Sequence, residues 1–330
     1  MKSTISKQVG AGVVAALMAA SLVACGSGKS SSGGGDGAYT VGVIALDATQ
    51  ITANRERKAA QTAMKKFGWK TVEINSNGNP AEAISAMQNL VQRKVDAIVV
   101  QTYTVDQLTA GLAAAKSADI PVFSSSGGDA EGGMAGAVEL VNSAKVNDAM
   151  LEAIKSKGSK KVELLQLRYT PGAPCRARAD DLDAKLKDFP NVHVTRQEVK
   201  IPGGQQSAQT ATSGWLQRYK ETAGTDLVIW PCFSEAALGA VAAEKQLKRG
   251  PYPLYTWDIS KPAVQALQDG DVSAVLWIQL EPTGQLMANL IKDYKDSAGD
   301  WKVRTEHAPS VLLTPDNIEK YLKENPTLTD

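Results

Sequence analysis

The chain has 330 residues, with 36 Lys and Arg against 35 Asp and Glu, for a formal net charge of +1. That length exceeds one typical domain, and that balance gives no electrostatic footing for nucleic acid as a partner. Two histidines (His193 and His307) and three cysteines (Cys25, Cys175 and Cys232), none in a C-x-x-C pair, leave little material for histidine catalysis or a metal site.

Residues 1–24 are laid out as an export signal: Lys2 and Lys7, then a small-residue apolar run from 9 to 24. The run falls short of the ~20 residues a spanning helix needs. Its end, Leu22-Val23-Ala24-Cys25, resembles the lipobox of bacterial lipoproteins. That resemblance implies cleavage before Cys25, lipidation of its sulfur, and an extracytoplasmic chain anchored to the outer face of the cell membrane. The Gly/Ser-rich stretch after Cys25 makes 25–38 a flexible linker. Gly28-Lys29-Ser30 within it is not a phosphate loop, because Val23 stands where the first glycine belongs.

The folded body opens with a β-branched strand in Tyr39–Asp47. A helical stripe at Ala60, Met64 and Phe67 follows and stops at Gly68. Thr71–Asn75 is a strand, and Asn79-Pro80 caps a helix whose buried face is Ile84, Met87, Leu90 and Val91. Val95–Val100 is an apolar strand suited to burial on both faces. A helix through Leu108, Leu112 and Ala115 leads to a strand at Ile120–Phe123. The alternation restarts after Asn142. A helix at Val146, Met150 and Ile154 precedes a strand at Val162–Leu167, and a helix at Leu182, Leu186 and Phe189 precedes a strand at Val192–Val199. A helix with Trp215 and Tyr219, then Leu227–Trp230, Ala236–Gln246, Leu254–Trp257, Val272–Ile278, Gly284–Tyr294, Val311–Leu313 and Asn317–Leu322 complete the pattern. Strands alternating with helices over this length predict an α/β chain of two doubly wound parallel sheets.

No HExxH, G-x-S-x-G or G-x-G-x-x-G after a strand is present, so the chain is expected not to be an enzyme and to need no cofactor. Asp180, Asp181 and Asp183, with Arg176 and Arg178 nearby, read as a solvated helix face. The strand ends are different. They carry Asp47 and Gln50, Gln101 and Tyr103, Ser126, Arg176, Phe233, Trp257 and Asp258, and Gln279. Charged and amide groups suit vicinal hydroxyls, and aromatic faces suit the C–H side of a sugar-like ring. Ligands of open α/β sheets bind at such strand ends.

Several stretches together resemble the sugar-binding group of type I periplasmic binding proteins, the relatives of ribose-binding protein. They are MKKFGW, EINSNGNPAEAISAMQNLVQRKVDAIVVQ, KSADIPV, SEAALGAVAAE, LYTWDISKPAVQALQDGDVSAVL and the Gln279-Leu-Glu-Pro turn. The resemblance spans roughly residues 40 to 315. It implies two Rossmann-like lobes joined by a three-crossover hinge: residues 39–142 plus 281–308, and 143–280 plus 309–330. It also implies that Arg176, Asp258 and Gln279 bind ligand hydroxyls. Gln50, Gln101, Phe233 and Ser126-Gly127 depart from the family's usual residues, which weakens the case for a standard pyranose and leaves a polyol, a modified sugar or a less polar solute.

Cys175 and Cys232 each follow a second-lobe strand, and an extracytoplasmic location permits a bridge between them, with two buried thiols as the alternative. The function implied is that of a monomeric, lipid-anchored receptor delivering a sugar or related solute to ABC permease subunits. A sensing or chemotaxis component on the same fold is the alternative.

Overall fold

The computed structural model describes residues 38–140, 143–326 and 328. The signal, Cys25, the linker before Ala38 and the boundary residue Asn142 lie outside these.

The first eight elements are β1 (Thr40–Ala45), α1 (Ile51–Lys66), β2 (Lys70–Asn75), α2 (Pro80–Gln92), β3 (Ala97–Gln101), α3 (Val105–Ser117), β4 (Val122–Ser125) and β5 (Gly136–Glu139). Next come α4 (Ser143–Ser156), β6 (Lys161–Arg168), α5 (Ala173–Lys185), β7 (Val192–Glu198), α6 (Gly204–Arg218), β8 (Thr225–Pro231), α7 (Ser234–Leu247), β9 (Tyr255–Trp257), α8 (Lys261–Gln268) and β10 (Ala274–Ile278). The chain ends with α9 (Leu280–Asp296), β11 (Arg304–His307), β12 (Ser310–Leu313) and α10 (Ile318–Glu324).

The strands form two layers of sheet. The first runs β11-β5-β4-β3-β1-β2, and every pair in it is parallel. The second runs β7-β6-β8 and β9-β10-β12, joined by a bridge between Ile229 and Leu254, with β12 antiparallel to β10. The chain therefore passes between the sheets three times, after β5, after β10 and after β11. The passages are tied together where the Ala308 amide donates to the Glu139 carbonyl at 2.8 Å and the Gln279 amide to the Pro309 carbonyl at 3.0 Å.

The sequence accounts for most of this. β1 and β3 are largely apolar runs buried on both faces, as a parallel sheet sandwiched by helices requires, and β4 (Val-Phe-Ser-Ser) is buried along its whole length. One face is filled by Met87, Leu90, Leu108 and Leu112 of α2 and α3, the other by Met64, Met287 and Leu290 of α1 and α9. Asn79 caps α2 as expected, its side chain accepting from the Ala81 amide at 2.9 Å with Pro80 in the first turn. The two-lobe, doubly wound fold predicted from the alternation is the fold observed. β5 and β11 were not expected. β11 is a half-exposed edge strand reading Arg-Thr-Glu-His, so it carries no apolar signature.

Candidate functional site

Between the two sheets lies a cleft with about 70 Å³ of free internal volume. The first lobe contributes Leu46, Gln50, Thr52, Ala53, Glu56, Thr102 and Ser126. The second contributes Tyr169, Pro174, Cys175, Arg178, Ile201, Phe233, Glu235 and Asp258. The lobes are closed on one another. The Ala173 amide donates to the Thr102 carbonyl at 3.0 Å, the Tyr169 hydroxyl to the Gly78 carbonyl at 3.2 Å, and the Ile51 amide to a Glu235 carboxylate oxygen at 2.8 Å.

The second-lobe wall is built on α5. Its buried face is Cys175, Arg178, Ala179 and Leu182, at helical spacing. Arg178 is 2% exposed. Its guanidinium donates to the Cys232 carbonyl at 2.7 Å, pairs with both oxygens of Asp258 at 3.4 and 3.5 Å, and lies over the Trp257 ring at 5.1 Å. Asp258 follows β9 in the left-handed region, φ 70°, with its amide bound to the Leu276 carbonyl at 3.0 Å. Thr102 (φ 73°) and Ser126 (φ 63°) adopt the same conformation at first-lobe strand ends. Non-glycine residues held there are strained, and three of them line this one cleft. Cys175 and Cys232 are bridged, with Cα atoms 5.3 Å apart, which fixes the start of α5 to the segment carrying Phe233. Phe233 packs on Gly204, where a Cβ would stand 2.9 Å from the ring.

The first-lobe wall centres on Glu56, 4% exposed. Its carboxylate accepts from the Ser125 hydroxyl, from the Ser126 hydroxyl at 3.4 Å and from the Gln101 amide at 3.3 Å. Burial outweighs those donors and, with Asp258 nearby, pushes Glu56 up to about 7. Burial also raises Glu235, despite the Ile51 amide, and takes Glu139, which accepts from the Gly128 amide at 2.7 Å, to about 7. Glu56 of the first lobe thus lines the cleft together with Glu235 and the Arg178–Asp258 pair of the second. Leu46, Ile201 and Phe233 supply apolar surface. Such a lining can accept and donate hydrogen bonds to a polyhydroxylated ring or chain and cover its C–H side.

Of the sequence-predicted contacts, Gln50, Ser126, Phe233 and Asp258 line the cleft. Six others lie elsewhere. Arg176 sits at the rim, donating to the Thr170 carbonyl at 2.6 Å and the Thr104 hydroxyl at 3.2 Å. α5 begins at Ala173, and two residues along a helix turn about 200°, so Arg176 and Arg178 point to opposite sides. The solvated face expected around Arg178 is corrected accordingly: the cleft arginine is Arg178. Trp257, fully buried, packs edge-on against Trp230 at 5.2 Å beneath Arg178. Tyr103 is buried in the first lobe, its hydroxyl 2.8 Å from that of Ser76. Gln101 stands behind Glu56 and also binds the Ala53 carbonyl at 3.0 Å. Asp47 closes its own turn on the Thr49 amide at 2.8 Å. Gln279 belongs to the hinge through its backbone. Sequence reasoning missed Glu56, Arg178, Glu235 and Tyr169. Glu56 sits in the polar run Asn54-Arg-Glu-Arg-Lys58, yet it stands four residues before Ala60 on the apolar stripe of α1.

Among the described residues no group of three or more His, Cys, Asp or Glu is arranged to hold a metal, and no helix is long and apolar enough to cross a membrane. Comparison with known proteins adds the following. The family described as Periplasmic binding protein domain matches residues 41–299. Fructose import binding protein FruE of Bifidobacterium longum is 27% identical over 303 residues, covering 86% of this chain and 88% of that protein. An ABC transporter solute binding protein from Agrobacterium vitis, solved with bound allitol, superposes with TM-score 0.78 at 20% identity, covering 87% of this chain and 99% of that one. A Mycobacterium smegmatis protein in complex with β-D-fucofuranose gives TM-score 0.75 at 19% identity, covering 88% and 96%. With the family match running from β1 through α9 and the fold shared over nearly the whole body, the chain belongs to the periplasmic binding proteins, which bind solutes rather than transform them.

Proposed function

We propose that the chain is the extracytoplasmic receptor of an ABC importer. It takes a monosaccharide or polyol between lobes 39–142 plus 281–308 and 143–280 plus 309–330, closes on it as a monomer, and presents it to a permease. Cys25 carries the lipid anchor. The observation that supports this most is the pairing of Arg178–Asp258 with Glu56 across a cleft faced by Phe233. Two charged groups and a buried carboxyl grip hydroxyls, and the aromatic face covers carbon. Gln50 and Ser126 complete the polar lining. The relatives' solutes, fructose, allitol and fucofuranose, are all small polyhydroxylated molecules, which sets the panel to try first.

The test is a thermal-shift and calorimetric screen of D-fructose, allitol, D-fucose, L-arabinose and D-galactose. A true ligand at 100 times its Kd stabilises the fold by about 2.7 kcal/mol. A screen in which none of these moves the melting temperature defeats the sugar reading. Lipidation is tested separately: Cys25→Ser should release the protein from the membrane fraction, and continued membrane association would refute the anchor.

A further inference from the structure

We infer that Glu235 is a closure latch, a carboxylate of the second lobe that caps helix α1 of the first lobe only when the cleft is shut. α1 starts without a cap of its own. Gln50 at its N-cap makes no side-chain capping hydrogen bond, and its first turn holds no acidic residue. The first amides of a helix lack intrahelical acceptors and carry the positive end of its dipole, so they favour an anionic partner. Here that partner comes from 184 residues away: Glu235 Oε1 accepts from the Ile51 amide at 2.8 Å. One turn further along the same face, Arg55 donates to the second-lobe carbonyls of Ile259 at 3.1 Å and Leu328 at 3.0 Å. The opening of α1 is therefore where the first lobe docks on the second along this edge.

The arrangement makes Glu235 a positioning residue. One of its oxygens is committed to Ile51 and the other lies 3.4 Å from the Ser234 hydroxyl. Separating the lobes leaves both the Ile51 amide and the carboxylate to water. The contact therefore rewards the shut state, and losing it speeds ligand escape. The inference rests on the receptor reading only for the sugar used as probe.

The experiment compares wild type, Glu235→Ala and Glu235→Gln by amide hydrogen exchange at Ile51 and by stopped-flow binding of D-fructose. The Ile51 amide should exchange about tenfold faster in Glu235→Ala than in wild type, with the Asn54 amide, bound within α1, unchanged as internal control. The fructose dissociation rate should also rise about tenfold in Glu235→Ala. Glu235→Gln, which keeps an acceptor oxygen, should fall between the two. Equal Ile51 exchange in wild type and Glu235→Ala, with and without fructose, overturns the latch, as does a change confined to the association rate. If wild type does not bind fructose at all, the sugar reading falls on that arm, while the Ile51 comparison still decides the latch.

Discussion

On the first-lobe wall, Glu56 is wrapped by the hydroxyls of Ser125 and Ser126 and the amide of Gln101, donors that are neutral. On the second-lobe wall, Asp258 meets the guanidinium of Arg178, which is in turn seated on Trp257 and the Cys232 carbonyl. The first arrangement leaves a carboxyl that burial drives toward its neutral form. The second keeps a charge pair fixed by an aromatic floor and a disulfide. Under the proposed function the two walls divide the labour: the charged wall is expected to grip the solute, and the neutral-donor wall, where burial raises Glu56, to tune what is accepted.

The largest effects should come from breaking the charged wall. Arg178→Ala and Asp258→Ala should each lower sugar affinity on the order of 100-fold, as expected when one member of a buried hydrogen-bonded charge pair is truncated. Arg176→Ala, at the rim, should change it less than about threefold, and calorimetry of the three variants separates the two arginines. Equal losses for Arg176→Ala and Arg178→Ala would mean that the cleft is gripped from its rim.

Removing the support beneath that wall is expected to cost stability first. The Cys175–Cys232 bridge closes a loop with a sequence separation of 57. Opening it with Cys175→Ser and Cys232→Ser together should destabilise the chain by about 2–4 kcal/mol in urea unfolding. An unchanged midpoint would mean that the bridge constrains nothing.

The neutral-donor wall makes its prediction through pH. Glu56 binds a proton more readily folded than unfolded, so its contribution is full below the ordinary value of 4.5 and is lost as pH rises through about 7. Glu139, at about 7, and Glu244, at about 8, act with the same sign. The melting temperature should therefore fall from pH 5 to pH 8, and Glu56→Gln should flatten part of that slope. A slope identical in Glu56→Gln would assign it to Glu139, Glu244 and Glu235, which burial also raises. The smallest effect belongs to Tyr103→Phe, which removes the hydrogen bond to Ser76 and should cost about 1 kcal/mol of stability with sugar affinity intact.

The same comparison shows how far the sequence could be read. Strand ends were found because apolar runs such as Ala-Ile-Val-Val before Gln101 and Tyr-Thr-Trp before Asp258 announce themselves. Asp258, Phe233, Gln50 and Ser126 were therefore within reach. What lay beyond reach was the side-chain direction one residue either way. Tyr103 and Trp257 are at strand ends yet turn into the lobes' cores. Arg178 was lost because the resemblance points to Arg176 and the neighbouring Asp180, Asp181 and Asp183 mark a solvated face, whereas α5 buries Arg178 on one side with Cys175, Ala179 and Leu182. Glu56 and Glu235 were lost for another reason: each is a charge on a helix, and only the packing of the opposite lobe or of neighbouring strands buries it.

The account stands most directly on calorimetric titration of wild type and Asp258→Ala with the sugar that stabilises the chain in the thermal screen. It predicts one saturable site per chain in wild type and loss of measurable binding at the same concentrations in Asp258→Ala, with the melting curve of the variant still cooperative. Equal affinity in the two proteins would place the ligand outside this cleft and contradict the account.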